Sequence, residues 1–247
     1  MRRALVVAGA ALALAGCCAP RRLPTLPRVR GPAASPERLL AVLDRLDRQT
    51  AALASFKVMH RISLTSREGV SSGSLRGVVA VRRPDRYRLQ VLGPAALLVL
   101  DLLWHAGRFD LSVPPRGVRM RGDARTPREA LGGVPVDGLA RAFLGGFPRL
   151  AARLVERGRW AVLTLEEPSG ARRLVYLDRR TAAVMIDARF EGGRETLRLT
   201  QRDHRMVDGV PFPYRIRCDL PEEGIEADIE VERVEPARDL PDELFER

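Results

Sequence analysis

Few residues in this chain have types and spacing that could do chemistry. There are three histidines and three cysteines. His60 and His105 stand in apolar, strand-like contexts, and His204 stands in Arg202-Asp203-His204-Arg205 beside a turn. Asp203 and His204 have the types of half a catalytic triad, but adjacent residues on a strand point to opposite faces. No His-x-x-x-His or Cys-x-x-Cys spacing occurs, so no metal site is expected. There is no Gly-x-Ser-x-Gly elbow and no phosphate-cradling glycine loop ahead of a helix. The expectation is a non-enzyme that uses no cofactor. The one thiol in a telling position is Cys17, which directly follows Leu14-Ala15-Gly16. Ahead of it lie a positive start, Arg2-Arg3, and an apolar run from Ala4 to Ala15. That three-part form is a secretory signal, with small residues that fit a narrow peptidase cleft. Cleavage after Gly16 would leave the Cys17 thiol at a new N-terminus.

All four positions of Leu14-Ala15-Gly16-Cys17 resemble the lipobox of bacterial lipoproteins. The resemblance implies a diacylglyceryl thioether on Cys17 and a membrane anchor worth about 0.8 kcal/mol per buried methylene. Cys18, not Asp, follows it. That resembles the default sorting to the periplasmic face of the outer membrane. The compartment permits disulfides. Cys218 is the remaining intramolecular partner for Cys18, and its plainer reading is a small core residue.

Length and composition narrow the class. The chain has 247 residues, 45% hydrophobic and 30% charged. That excludes a disordered or collagen-like chain. The longest apolar run is about half of the roughly 20 residues a spanning helix needs, which excludes a polytopic membrane protein. The net charge is +11, and Lys57 is the only lysine among 42 basic residues. So strong a preference for arginine reads as codon bias and says little about nucleic acid. Aromatic residues are only 5% of the chain, too few for the stacking platform that single strands require. Residues 221–247 carry a net −8, leaving +19 on the rest.

Residues 17–35 read as a lipidated tether rich in Pro and Arg. A helix opens at Ser35-Pro36-Glu37, where Ser35 caps and Pro36 fits the first turn. Leu39, Leu40, Val42, Leu43, Leu46 and Leu53 share its apolar face. From Phe56 the period changes to two. Val58 and Ile62 face inward on the first strand; Tyr87, Leu89 and Val91 do so on another, and Phe109 and Leu111 on the next. A central section rich in Gly, Pro and charge, residues 122–137, precedes a short helix over Leu139 to Leu144, and Pro148 to Arg157 reads as further helical turn. Strands then resume, with Ile186, Leu199, Ile216 and Ile229 among the inward positions. Arg215 and Arg217 face outward on one late strand; Glu226, Asp228, Glu230 and Glu232 do so on the next. Antiparallel neighbours would place these rows opposite each other and neutralise the acidic tail. The expected fold is mainly β: a curved antiparallel half-open barrel of about ten to eleven strands with a few helices as lid. Its inward Val, Leu and Ile suit either a packed core or a cavity for acyl chains.

The order of lipobox, tether, helix, meander, helical interruption and second meander resembles the lipoprotein-carrier superfamily of LolA, LolB and RseB. Tyr87-Arg88-Leu89-Gln90-Val91-Leu92-Gly93-Pro94 is similar to a family segment in which an aromatic-led strand ends in a Gly-Pro turn. Asp239-Leu240-Pro241-Asp242-Glu243-Leu244-Phe245 is similar to a C-terminal element that docks back on the barrel. The resemblance implies a signal peptide over 1–16 and a single half-barrel domain over 36–247. The lipobox favours the anchored, LolB-like branch. Such a protein accepts the acyl chains of lipoproteins from a periplasmic LolA-like carrier and delivers them to the outer membrane. The implied acyl-binding residues are the inward set named above. The implied membrane-touching loop is Pro94 to Leu100, with Ala95, Leu97 and Leu98 at its centre. A structural or envelope-assembly lipoprotein that uses the fold to bind proteins is the alternative, as is an RseB-like sensor of lipoproteins.

Overall fold

The computed structural model describes residues 23–66, 71, 73–123, 126, 140, 142–144, 152–167 and 170–246. The expected signal peptide, Gly16, Cys17, Cys18 and most of the central section lie outside the described residues. Helix α1, Pro36–Ala52, begins as its sequence dictates. Ser35 Oγ accepts the Arg38 backbone N–H at 3.3 Å, and Pro36 occupies the first turn. Val42, Leu43 and Leu46 are buried, whereas Leu40 is 51% exposed. One residue turns a helix by about 100°, so Leu40 falls outside the stripe that runs through Leu39, Val42, Leu43 and Leu46.

Thirteen antiparallel strands follow in one sheet: β1 (Ser55–Thr65), β2 (Leu75–Arg82), β3 (Arg86–Leu92), β4 (Leu98–His105), β5 (Arg108–Val113), β6 (Val118–Asp123), β7 (Arg153–Arg157), β8 (Trp160–Glu166), β9 (Arg172–Asp178), β10 (Val184–Glu191), β11 (Arg194–Val207), β12 (Val210–Leu220) and β13 (Ile225–Pro236). The expected ten to eleven is too few, and β4, β6 and β7 make the difference. β4 opens on the continuous apolar run Leu98-Val99-Leu100, which has no period of two to mark it. β7 holds the part of the expected helical turn that falls at Arg153–Arg157; pairing with β8 (Leu154 opposite Leu163) overrides local preference there.

The sheet order is β6-β5-β4-β3-β2-β1-β13-β12-β11-β10-β9-β8-β7. Two meanders are therefore joined by the pairing of β1 with β13, with Ile62 opposite Ile229. The sheet does not close, because β6 and β7 are its two edges. Arg215 lies opposite Glu230 and Arg217 opposite Asp228, as the charge rows require. Arg217 also binds Asp219 and Glu226. The basic sheet thus neutralises part of its own acidic end.

Alternation gives the sheet two distinct faces. The inner face carries the main core, including Phe56, Val58, Val79, Leu102, Leu197 and Ile216, together with Ala140, Phe143 and Leu144 of the central helical segment. Helix α1 covers the β7–β9 end of the same face, packing Val42, Leu43 and Leu46 on Leu154, Leu163, Val175 and Leu177. On the outer face, Ala80 and Leu103 receive Leu240 and Phe245 of the C-terminal segment. That segment ends in a 3₁₀ turn, Asp242–Phe245, held by Arg82 and Arg86 on Asp242 and by Arg88 on the Leu244 carbonyl at 3.0 Å.

The described part of the expected tether is not free linker. The Ala34 N–H donates to the Leu154 carbonyl at 2.8 Å, on edge strand β7. Arg157 binds the Arg30 carbonyl and Arg198 the Pro24 carbonyl. Pro and Arg dominate its composition, but its unpaired backbone carbonyls are good acceptors for guanidinium donors on the sheet. No helix among the described residues is long and apolar enough to cross a membrane.

Candidate functional site

β6 and β7 are the two edges of the sheet, and the chain between them is described only in part. Its described residues Ala140 and Ala142 to Leu144 rest on the inner face. Phe143 is the centre of this cover. Its ring lies 6.1 Å from that of Tyr87 and 6.4 Å from that of His60.

Ten of the eleven residues expected to line a ligand cavity meet in this one cluster: Val58, Ile62, Tyr87, Leu89, Val91, Phe109, Leu111, Leu199, Ile216 and Ile229. All are buried. Ile186 is the exception and corrects the sequence reading. The register of β10 against β9 shifts between Val184 and Ile186. A one-residue bulge moves the following side chains to the other face. Val184 therefore packs beside the α1 core, while Ile186 lies opposite Thr200 and lines an outer groove of about 690 Å³ with Leu23 to Leu26.

The cover is held by a residue that sequence reasoning passed over. Arg83 Nη1 donates to the carbonyls of Thr50 at 3.2 Å and Leu53 at 3.1 Å, at the end of α1. Its Nη2 donates to the Phe143 carbonyl at 3.1 Å. Its guanidinium also lies over the Phe56 ring, 5.1 Å from the centroid. Burial lowers its pKa to about 10, so it remains charged at neutral pH. One cation thus ties helix, strand turn and cover together. In the sequence Arg83 is one arginine among many, in a turn, and nothing local distinguishes it.

A second polar feature interrupts the inner face. Arg173 Nε binds Asp187 Oδ1 at 2.7 Å, both side chains being buried. Arg173, Asp187, Gln201 and Arg83 line a pocket of about 90 Å³ below the end of α1. The β10 bulge that turns Ile186 outward also turns Asp187 inward.

The loop after β3 divides the expected apolar run. Pro94–Ala96 forms a 3₁₀ turn in which Ala95 and Ala96 have positive φ, 56° and 58°. Ala95 is exposed, and Leu97 is 67% exposed. Leu98 is half-buried and already belongs to β4, opposite Leu92. Leu97 is therefore the loop's projecting side chain.

The remaining groups with chemical potential do not assemble. His204 Nε2 lies 2.9 Å from the Val184 carbonyl, while Asp203 turns to Arg205. His105 is exposed at the end of β4 rather than set in an apolar context. Cys218 is buried in the main core cluster. No group of three potential metal ligands occurs among the described residues.

The geometry is that of a lidded half-barrel, and it is shared with solved structures. A putative outer membrane lipoprotein-sorting protein domain from Vibrio parahaemolyticus superposes with a TM-score of 0.62 at 13% identity, covering 83% of this chain and 95% of that one. A DUF1329 family protein from Desulfovibrio piger gives 0.58 at 12% identity, with 84% and 97% covered. A LolA superfamily protein from Nitrosomonas europaea gives 0.57 at 16% identity, again with 84% and 97% covered. The chain shares its fold with these structures, over nearly their whole length. No protein-family profile and no curated protein matches its sequence.

Proposed function

We propose that this protein is a lipoprotein of the cell envelope, anchored through Cys17, that binds the acyl chains of other lipoproteins on the inner face of its half-barrel and passes them to the outer membrane. The observation that carries the reading is the cover. A large apolar face is closed by a chain segment whose Phe143 backbone is fastened to the sheet by Arg83. A cover fastened by hydrogen bonds can be exchanged for a ligand; an apolar face sealed by a second sheet cannot. Transfer needs no nucleotide and no catalytic group. Acyl chains that move from a LolA-like carrier to this face stay out of water throughout, and the better-fitting surface takes them. The exposed Leu97 supports delivery, since an apolar side chain at a loop tip can enter a bilayer surface. LolA-superfamily likeness in fold supports the same reading.

The test is native mass spectrometry, with lipid extraction, on the protein purified from a bacterial envelope. A copurifying acylated species, or uptake of an added diacylated lipopeptide, is expected, and Val58→Trp should reduce it by filling the inner face. A clean ligand-free mass with no uptake would overturn the reading. The fold would then serve as a protein-binding adaptor, a role favoured by the complete burial of ten of the eleven expected cavity residues.

A further inference from the structure

Among the described residues, the inner face contains two polar side chains whose hydrogen-bonding capacity the fold leaves unmet. His60 and Tyr87 are 1% and 0% exposed. Among the described residues, neither nitrogen of the His60 ring has a hydrogen bond of normal geometry, the Val58 backbone being its nearest polar neighbour on β1, and the Tyr87 hydroxyl has no partner. Buried polar groups are nearly always paired, so each exception needs an explanation. Other orphaned atoms, such as Arg82 Nε and Arg83 Nε, belong to side chains whose remaining atoms are bonded. In His60 and Tyr87, by contrast, no polar side-chain atom makes a hydrogen bond of normal geometry.

Their placement is specific. They come from β1 and β3, yet both rings face the same covering side chain, Phe143. The Tyr87 and Phe143 rings lie within 26° of parallel. Room for the imidazole comes from Gly77 on β2. A Cβ there would lie 2.7 Å from His60 Nε2 and 2.7 Å from the Gln90 carbonyl oxygen. The strand therefore carries no side chain where the imidazole must lie.

Both groups are neutral donors at physiological pH. A phenol donates one hydrogen bond, and a neutral imidazole donates one and accepts one. Set in an apolar face under an aromatic cover, they match a ligand that is mostly hydrocarbon with a few neutral acceptors. An ester carbonyl is such an acceptor; an ether oxygen is a much poorer one.

We propose that His60 and Tyr87 form a polar subsite for the ester carbonyl oxygens of an acylated glyceryl group, which takes the place of Phe143 when a ligand binds. The subsite makes the protein selective for ester-linked over ether-linked chains. This rests on the acyl-binding reading above and goes further by naming the linkage recognised.

The experiment compares two probes on the intact protein: a diacyl lipopeptide and its dialkyl ether counterpart of equal chain length. The ester probe should bind roughly tenfold more tightly, the size of one neutral hydrogen bond gained inside an apolar site. Tyr87→Phe should abolish that preference while raising the unfolding midpoint of the ligand-free protein, because it deletes an unpaired hydroxyl. His60→Leu should reduce the preference in the same way. Equal affinity for the two probes in the wild type would overturn the subsite and leave acyl binding standing. An equal loss of both affinities in Tyr87→Phe, with a lowered midpoint, would reduce Tyr87 to a packing role. Binding of neither probe would overturn the subsite and the acyl-binding reading together.

Discussion

His60 is dry and uncharged in the folded protein. Burial lowers its pKa from the ordinary 6.5 to about 4, with the Val58 backbone and the Glu232 charge opposing the shift only in part. The unfolded chain takes up the proton near pH 6.5, and the folded chain takes it up only near 4. Lowering the pH from 7 to 4 therefore favours unfolding, by on the order of 3 kcal/mol if the shift is fully expressed. His204, whose pKa burial also lowers, acts in the same direction. Urea midpoints measured between pH 7 and 4 should fall steeply in the wild type and markedly less in His60→Leu. An unchanged slope would mean that His60 is hydrated. Histidine in an alternating strand is visible in the sequence. That the ring would be buried without a hydrogen bond of normal geometry is not, because it depends on Gly77 and Phe143 arriving from two other segments.

At the scale of elements, the C-terminal turn and the β3–β4 loop do opposite things with apolar residues. Phe245 is 3% exposed against Ala80 and Leu103, with Arg82 5.5 Å from its ring centroid. Phe245→Ala should destabilise the protein by about 3 kcal/mol, as other buried aromatic truncations do, and the urea midpoint would report it. Leu97 is exposed at its loop tip, so Leu97→Glu should change stability by no more than about 0.5 kcal/mol. The same substitution should weaken association of the protein with lipid vesicles in a flotation assay; full retention would remove Leu97 from the membrane contact. Docking of the Asp239 to Phe245 segment was expected only from its resemblance to a family C-terminal element, and the structure places Leu240 and Phe245 on Ala80 and Leu103. The run from Pro94 to Leu100 was not legible as loop or strand. Its division rests on the positive φ of Ala95 and Ala96, which apolarity does not encode.

At the scale of the whole molecule, the two meanders share one core. The main inner cluster takes residues from β1 to β5 and from β11 to β13, so neither meander can bury its inner face alone. The chain holds two tryptophans, Trp104 in β4 and Trp160 in β8, one on each meander. Single-tryptophan variants, Trp104→Phe and Trp160→Phe, should therefore give coincident fluorescence unfolding curves in urea. Midpoints that differ beyond error would show that the β7–β9 end with α1 unfolds as a separate unit.

Local rules carried much of this protein. Alternation identified ten strands and all but one of the named inward side chains; the N-cap Ser35 with Pro36 placed α1; the rows of Arg215, Arg217, Asp228 and Glu230 anticipated their pairing across β12 and β13. These succeed because strand and helix periods, and cross-strand charge, act between residues whose spacing is written in the chain. Ile186, Arg83 and the cover were decided by tertiary structure alone. Ile186 turns outward because a bulge shifts the β9–β10 register. Arg83 becomes a latch because three carbonyls from two distant segments converge on it. Phe143 becomes a cover because Arg83, Tyr87 and His60, from separate parts of the sheet, meet it on the inner face.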